Sequence, residues 1–189
     1  MKKVGITGSL SSGKTTASKI LSQKAGPLFS ADNTVNKIYQ NLKFKKKIIK
    51  IFNIQKKTNF KNEVKKKVLK SKNNLKKLEK IIHPIVRRDM FSFLKKNRNK
   101  KFVFLEIPLL IESKLTKHFD IIFFIKSKKE IRLKRYLSKN KRKSKLFELL
   151  DNEQIKDKNK IKYCDHVVIN NSSLSNLKKK LFKVLRLYE

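Results

Sequence analysis

The sequence has no tryptophan and a single cysteine, Cys164. One thiol cannot close an intrachain disulfide or build a multi-cysteine metal site. Three histidines, His83, His118 and His166, do not make up a His/Cys zinc cluster with it. Long apolar runs are missing too. The mean hydropathy is −0.55, and no stretch approaches the roughly 20 apolar residues of a membrane span. The N-terminal stretch around Val4-Gly5-Ile6 is too short and too glycine-rich for a signal peptide. These absences lead to the expectation of a soluble, cytoplasmic protein without a membrane partner. Acidic residues are scarce: 14 Asp and Glu face 51 Lys and Arg, a net charge of +37. Such a balance suggests phosphate neutralisation on nucleic acid. Against that, only 7 of the 51 are arginine, the lysines are spread along the chain, and there are only 4 tyrosines. No basic motif is interleaved with aromatics for stacking on bases. Lys, Asn and Ile are the residues of A/T-rich codons, so composition accounts for the bias and no specific nucleic-acid partner is expected. The charge still attracts polyanionic ligands, nucleotides included.

What is present suits one domain with a small insert. The chain has 189 residues, 39% of them hydrophobic, enough for a core. Lys3-Val4-Gly5-Ile6-Thr7 reads as a buried strand, followed by a Gly/Ser turn and a helix from Thr15 to about Gln23. A second short strand covers Pro27-Leu28-Phe29-Ser30. Residues 33–99 read as Lys-rich amphipathic helices, interrupted at Pro84 and resumed from Ile85 to Leu94. Continuous apolar runs at 101–106 and 120–125 suit parallel strands covered on both faces. A helix at 130–137, a strand at 166–169 and a helix at 174–187 complete the alternation. The fold class is α/β, a parallel sheet flanked by helices. Residues 139–162 form a polar cover with few apolar anchors, Phe147 among them.

Gly8-Ser9-Leu10-Ser11-Ser12-Gly13-Lys14-Thr15 matches G-x-x-x-x-G-K-[ST], between a buried strand and a helix. The glycines permit backbone conformations that a Cβ opposes. Successive N–H groups then form a nest for phosphate oxygens at a helix N-terminus. Lys14, expected exposed in the loop, reaches the β- and γ-phosphates, and the Thr15 hydroxyl is placed to ligate Mg²⁺. Thr16 follows in the first turn of the helix. The loop points to a P-loop NTPase-like fold that binds a nucleoside triphosphate.

Phosphoryl transfer needs a group that orients or deprotonates the acceptor. Asp32, after the second strand, is one candidate; the other reading is an N-cap for a helix starting at Thr34. Glu106 closes an apolar strand, where an acid near a metal is common in P-loop enzymes. Glu112 follows it, with an exposed helical residue as the alternative. Arg132 and Arg135 are able to clamp phosphates with rigid guanidinium forks. His83, in an apolar helical stretch, reads either as a packed structural group or as a binding residue.

Taken in order, Gly5-Ile6-Thr7-Gly8, Gly13-Lys14-Thr15, Ala31-Asp32, Ile82-His83-Pro84-Ile85, Pro108-Leu109-Leu110-Ile111-Glu112, Leu133-Lys134-Arg135, Gln154 and 165–171 resemble the dephospho-CoA kinase family, nearly end to end. That family phosphorylates the ribose 3′-hydroxyl of dephospho-CoA with ATP and Mg²⁺. The resemblance implies a P-loop core at 1–40 and 100–189, a helical acceptor-binding insert at 41–99 and a lid at about 139–162. It implies that Asp32 acts on the 3′-hydroxyl and that His83, Pro84, Leu109 and Glu112 surround the acceptor. Gly8, Ser11, Ser12, Gly13, Lys14, Thr15 and Thr16 would hold ATP, with Arg135 on its phosphates and Asn170 or Asn171 near adenine. Other P-loop kinases, of nucleosides or nucleoside monophosphates, share the loop but not the His-Pro and Pro-Leu-Leu-x-Glu pair. Two positions depart from the family: Ser30 stands where it commonly has Asp, and Lys139 where it has Arg. Lys139 is then the expected lid contact to the nucleotide, with Arg142 the nearby alternative. Nothing in the sequence sets the oligomeric state.

Overall fold

The computed structural model describes residues 1–54, 59–138 and 144–189. The first strand, β1 (Lys2–Gly8), is buried from Val4 onward, so both its faces are covered and it sits inside a sheet. Helix α1 (Lys14–Ala25) turns Ala17 and Leu21, one helical turn apart, onto that sheet. β2 (Leu28–Ser30) follows, then α2 (Ala31–Gln40), α3 (Leu42–Phe52), α4 (Phe60–Leu69) and α5 (Lys72–Lys96). The chain returns to the sheet as β3 (Phe102–Glu106), all of it buried. β4 (Ile121–Lys126), α6 (Lys129–Leu137), α7 (Ser144–Asn152), α8 (Asp157–Ile161), β5 (His166–Ile169) and α9 (Leu174–Arg186) complete it.

The sheet is parallel throughout, in the order β2-β3-β1-β4-β5. Its register puts Ile6 and Ser30 both opposite Glu106, so the strand ends that carry Gly8, Ser30 and Glu106 share one edge. The chain winds to one side of β1 through β2 and β3, and to the other through β4 and β5. Ligands of open α/β sheets bind outside the carboxyl ends of the strands at such a reversal. Val4, Ile6, Phe104, Phe123 and Ile125 pack on Ala17 and Leu21 of α1 and on Leu177, Leu181 and Leu185 of α9.

The chain divides into two compact units, Met1–Ser30 with Asn97–Glu189, and Ala31–Lys96. The helical unit has its own core of Ile38, Phe44, Ile48, Phe52, Val64, Leu78 and Ile82. Tyr39 meets the Phe44 ring edge-on at 5.4 Å. Against expectation, Pro84 does not divide the helix: α5 runs through it. A proline inside a helix loses one N–H bond and crowds the carbonyl four residues back, costing about 3 kcal/mol. Leu78 and Ile82 before it, and Ile85 and Val86 after it, pack in the same core, which offsets that cost. Helices α7 and α8 fill most of the expected polar cover, and they are anchored by Phe147 and Lys160, both with 0% exposure.

Candidate active site

The loop between β1 and α1 is held in shape from both ends. Gly13 has φ 100, and a Cβ on it would lie 2.2 Å from Asn170 Nδ2. Only glycine therefore allows both this backbone and the approach of Asn170. Ser11 also adopts the left-handed region, with φ 58. Lys14 corrects the expectation of an exposed side chain: it is 8% exposed. Its Nζ donates to Gly8 O at 2.9 Å and to Ser9 O at 2.7 Å. Ser12 Oγ is buried with no hydrogen-bond partner among the described residues. A buried orphan hydroxyl, an ammonium donating to loop carbonyls and a glycine-framed turn at a helix N-terminus are what phosphate oxygens complete.

At the next position Thr15 Oγ1 donates to Glu106 Oε1 at 2.5 Å, and Ser18 Oγ lies 3.4 Å from Oε2. Glu106 is 2% exposed. Among the described residues no group of three or more His, Cys, Asp or Glu side chains is assembled for a metal. One carboxylate and one hydroxyl beside a phosphate site are instead the hard oxygen set that suits Mg²⁺, which retains waters and uses substrate phosphates as ligands.

Helix α6 brings two guanidinium groups to the same loop. Arg135 donates to Ser12 O at 3.3 Å, to Ser127 Oγ at 3.2 Å and to Asn170 O at 3.1 Å. Asn170, at the end of β5, is buried and donates from Nδ2 to Ser12 O at 2.8 Å. Its neighbour Asn171 accepts from Lys128 N at 2.9 Å at the start of α6. Arg132 reaches Leu10 O at 3.3 Å and grips both oxygens of Asp151 on α7, at 2.5 and 3.1 Å. Its guanidinium also lies over the Phe147 ring, 5.6 Å from the centroid. α7 is thus fastened to α6 beside the loop.

The turn after β3 carries Leu109, half-buried, and Glu112. Thr7 Oγ1 of β1 donates to Pro108 O at 3.1 Å and anchors the turn. Glu112 is not the exposed helical residue of the alternative reading. Its side chain is 18% exposed, and Oε1 is 2.7 Å from the Nζ of Lys160. Asp157, in the same short helix as Lys160, accepts from Ser9 Oγ of the phosphate loop. Lys160, Asp157 and Asp151 are the site residues that the sequence reading did not single out. Only Gln154, which accepts from Lys160 Nζ at 3.2 Å, lay in a quoted motif. Cys164 lies close by, but burial and the Asp165 carboxylate push its thiol up to about 12, so it carries no nucleophile at neutral pH.

The remaining candidates belong to the helical unit. Asp32 lies inside the first turn of α2, which starts at Ala31, so it is not the N-cap of a helix beginning at Thr34. His83 and Pro84 both sit in α5. Pro84 borders a cavity of about 650 Å³ with Phe44, Lys43, Lys47, Lys80 and Arg88, and His83 does not line it. Gly8, Ser11, Ser12, Gly13, Lys14, Thr15, Thr16, Arg135 and Asn170 come together in the sheet-bearing unit, with Leu109 and Glu112 on the turn after β3. Lys139 and Arg142 lie outside the described residues.

Comparison with known proteins gives a consistent result. The family model described as dephospho-CoA kinase matches residues 2–176. A dephospho-CoA kinase of Fusobacterium nucleatum is 33% identical, covering 94% of this chain and 94% of that protein. The solved structure of dephospho-CoA kinase from Campylobacter jejuni is similar with a TM-score of 0.69 at 26% identity, covering 98% of this chain and 96% of that one. The structure of TT1252 from Thermus thermophilus is similar with a TM-score of 0.83 at 25% identity, covering 98% and 97%.

Proposed function

The chain belongs to the dephospho-CoA kinase family, and from that premise we propose how its residues move the γ-phosphoryl group of ATP to the ribose 3′-hydroxyl of dephospho-CoA, giving coenzyme A and ADP. The observation that carries the reading is the phosphate loop, with Lys14 and the orphan Ser12 hydroxyl inside it and the Thr15–Glu106 pair beside it.

The N–H groups between Gly8 and Thr15 hold the β- and γ-phosphates. Lys14 exchanges its loop carbonyls for phosphate oxygens and stabilises the charge that spreads over the transferring group. Arg135, already braced on the loop, adds a bidentate donor on the same side, and Asn170 closes the nucleotide end. Thr15 and, directly or through water, Glu106 would hold Mg²⁺, which when bound neutralises charge on the phosphates. Asp32 accepts the 3′-hydroxyl proton as the ribose oxygen bonds to the γ-phosphorus. The bond from that phosphorus to the bridging oxygen breaks, and ADP leaves with the electron pair. His83, Pro84, Leu109 and Glu112 bind the acceptor. The helical residues 41–99 serve as the acceptor-binding insert, residues 139–162 as the lid, and Lys139 as its nucleotide contact. No helix among the described residues is long and apolar enough to cross a membrane, and a kinase drawing on ATP fits the cytoplasm.

The test is ADP release with a panel of acceptors: dephospho-CoA, adenosine, AMP, CMP and pantetheine. Turnover on dephospho-CoA well above all others is the expected outcome. Faster turnover on AMP or CMP overturns the assignment in favour of a nucleoside monophosphate kinase.

A further inference from the structure

Lys160 is the lysine of α8 whose surface is wholly buried. Burying an ammonium is strongly unfavourable unless it is paired and hydrogen-bonded. Both conditions are met here: Nζ is 2.7 Å from Glu112 Oε1 and 3.2 Å from Gln154 Oε1. Neither buried oxygen of Glu112, Oε1 or Oε2, has a hydrogen-bond partner of good geometry among the described residues, and Oε1 is held by the ion pair with Lys160. A carboxylate oxygen accepts up to two hydrogen bonds, and leaving such a group dry and empty is costly. Glu112 is therefore clamped through one oxygen while the other awaits a donor. The same short helix is tied to the phosphate loop, because Asp157 accepts from Ser9 Oγ.

We infer that Lys160 is a positioning residue for acceptor recognition: it holds Glu112 by Oε1 and presents Oε2 to a hydroxyl or amino donor of the acceptor nucleotide. This rests on the functional reading above, which places Glu112 at the acceptor. Gln154 fixes the ammonium from the other side, and Asp157 keeps the helix in register with the loop that holds ATP. The donor and acceptor sites then share one five-residue support, α8.

The test compares Lys160→Met, Lys160→Arg, Glu112→Gln and the double variant Lys160→Met/Glu112→Gln. For each, calorimetric binding of dephospho-CoA and of ATP is measured beside the Tm. Lys160→Met is expected to lower Tm, because it leaves Glu112 buried without its countercharge. It should weaken dephospho-CoA binding about tenfold or more, the size of one charge-assisted hydrogen bond, while ATP binding stays within about threefold. Lys160→Arg should restore part of the acceptor affinity. The double variant has no stranded charge, so its Tm should recover, yet its acceptor affinity should remain as low as in either single variant. If Lys160→Met fails to fold, the double variant still decides the matter. A double variant with recovered Tm and wild-type acceptor affinity overturns the inference and leaves the pair purely structural. Equal losses for ATP and acceptor overturn it too. A wild-type enzyme that transfers nothing to dephospho-CoA instead overturns the functional reading itself.

Discussion

The ammonium of Lys14 has Gly8 O and Ser9 O as acceptors inside its own loop. Triphosphate binding therefore swaps one set of oxygens for another, and less ordering entropy is spent at that moment. Lys14→Ala should lower kcat by about 10²-fold or more, the usual effect of removing a donor aimed at developing charge. Circular dichroism should show the fold retained, and near-wild-type turnover in such a folded variant would contradict the loop assignment. Asp32 belongs to the other unit and to a different step. Asp32→Asn should lower kcat by about 10²–10⁴-fold, the range of general acid–base contributions, with the KM for ATP nearly unchanged. Turnover within about threefold of wild type would mean that its carboxylate serves mainly the first turn of α2.

Among the elements, α5 carries a conflict between stability and use. Pro84 sits inside a 25-residue helix, next to His83. Pro84→Ala should restore the missing N–H bond and stabilise the protein by about 1–3 kcal/mol in urea unfolding. The same change should raise the KM for dephospho-CoA, since the proline is proposed to touch the acceptor; no change in that KM would remove Pro84 from the site. The elements also show what could be read in advance. β1, β3 and β4 were legible because strands buried on both faces are continuous apolar runs, whereas β5, at the sheet edge with Val167 and Ile169 exposed, was legible from its β-branched residues. The phosphate loop was legible because its glycines and its Lys-Thr pair answer to backbone geometry and phosphate chemistry. The passage of α5 through Pro84 was not, because tertiary packing of Ile82 and Ile85 outweighed a local breaker. Nor were the supports of the site. Lys160 is one of 44 lysines, and nothing in its neighbourhood sets it apart until α8 folds it against Glu112. Asp151 and Asp157 stand in a polar stretch whose charges read as solvated until Arg132 and Ser9 are seen beside them.

For the whole molecule the net charge of +37 dominates. Self-repulsion at this level opposes compaction, and a positive field draws in ATP and dephospho-CoA from a distance. Screening acts on both effects, with a Debye length of about 10 Å at 0.1 M and 3 Å at 1 M. Between low and high NaCl the Tm should therefore rise while kcat/KM for both substrates falls. A kcat/KM indifferent to salt would show that the field does not steer them. The position of β1 has a consequence for biosynthesis. It is the middle strand of the sheet, yet both its partners lie beyond residue 100, with all of Ala31–Lys96 between. On the ribosome at about 5–20 residues per second, the helical unit is fully translated before either partner exists. The nascent β1 and its phosphate loop then wait about 6–24 s for β4 to be completed, so early chaperone contact should fall on the first thirty residues while the helices behind them are already folding.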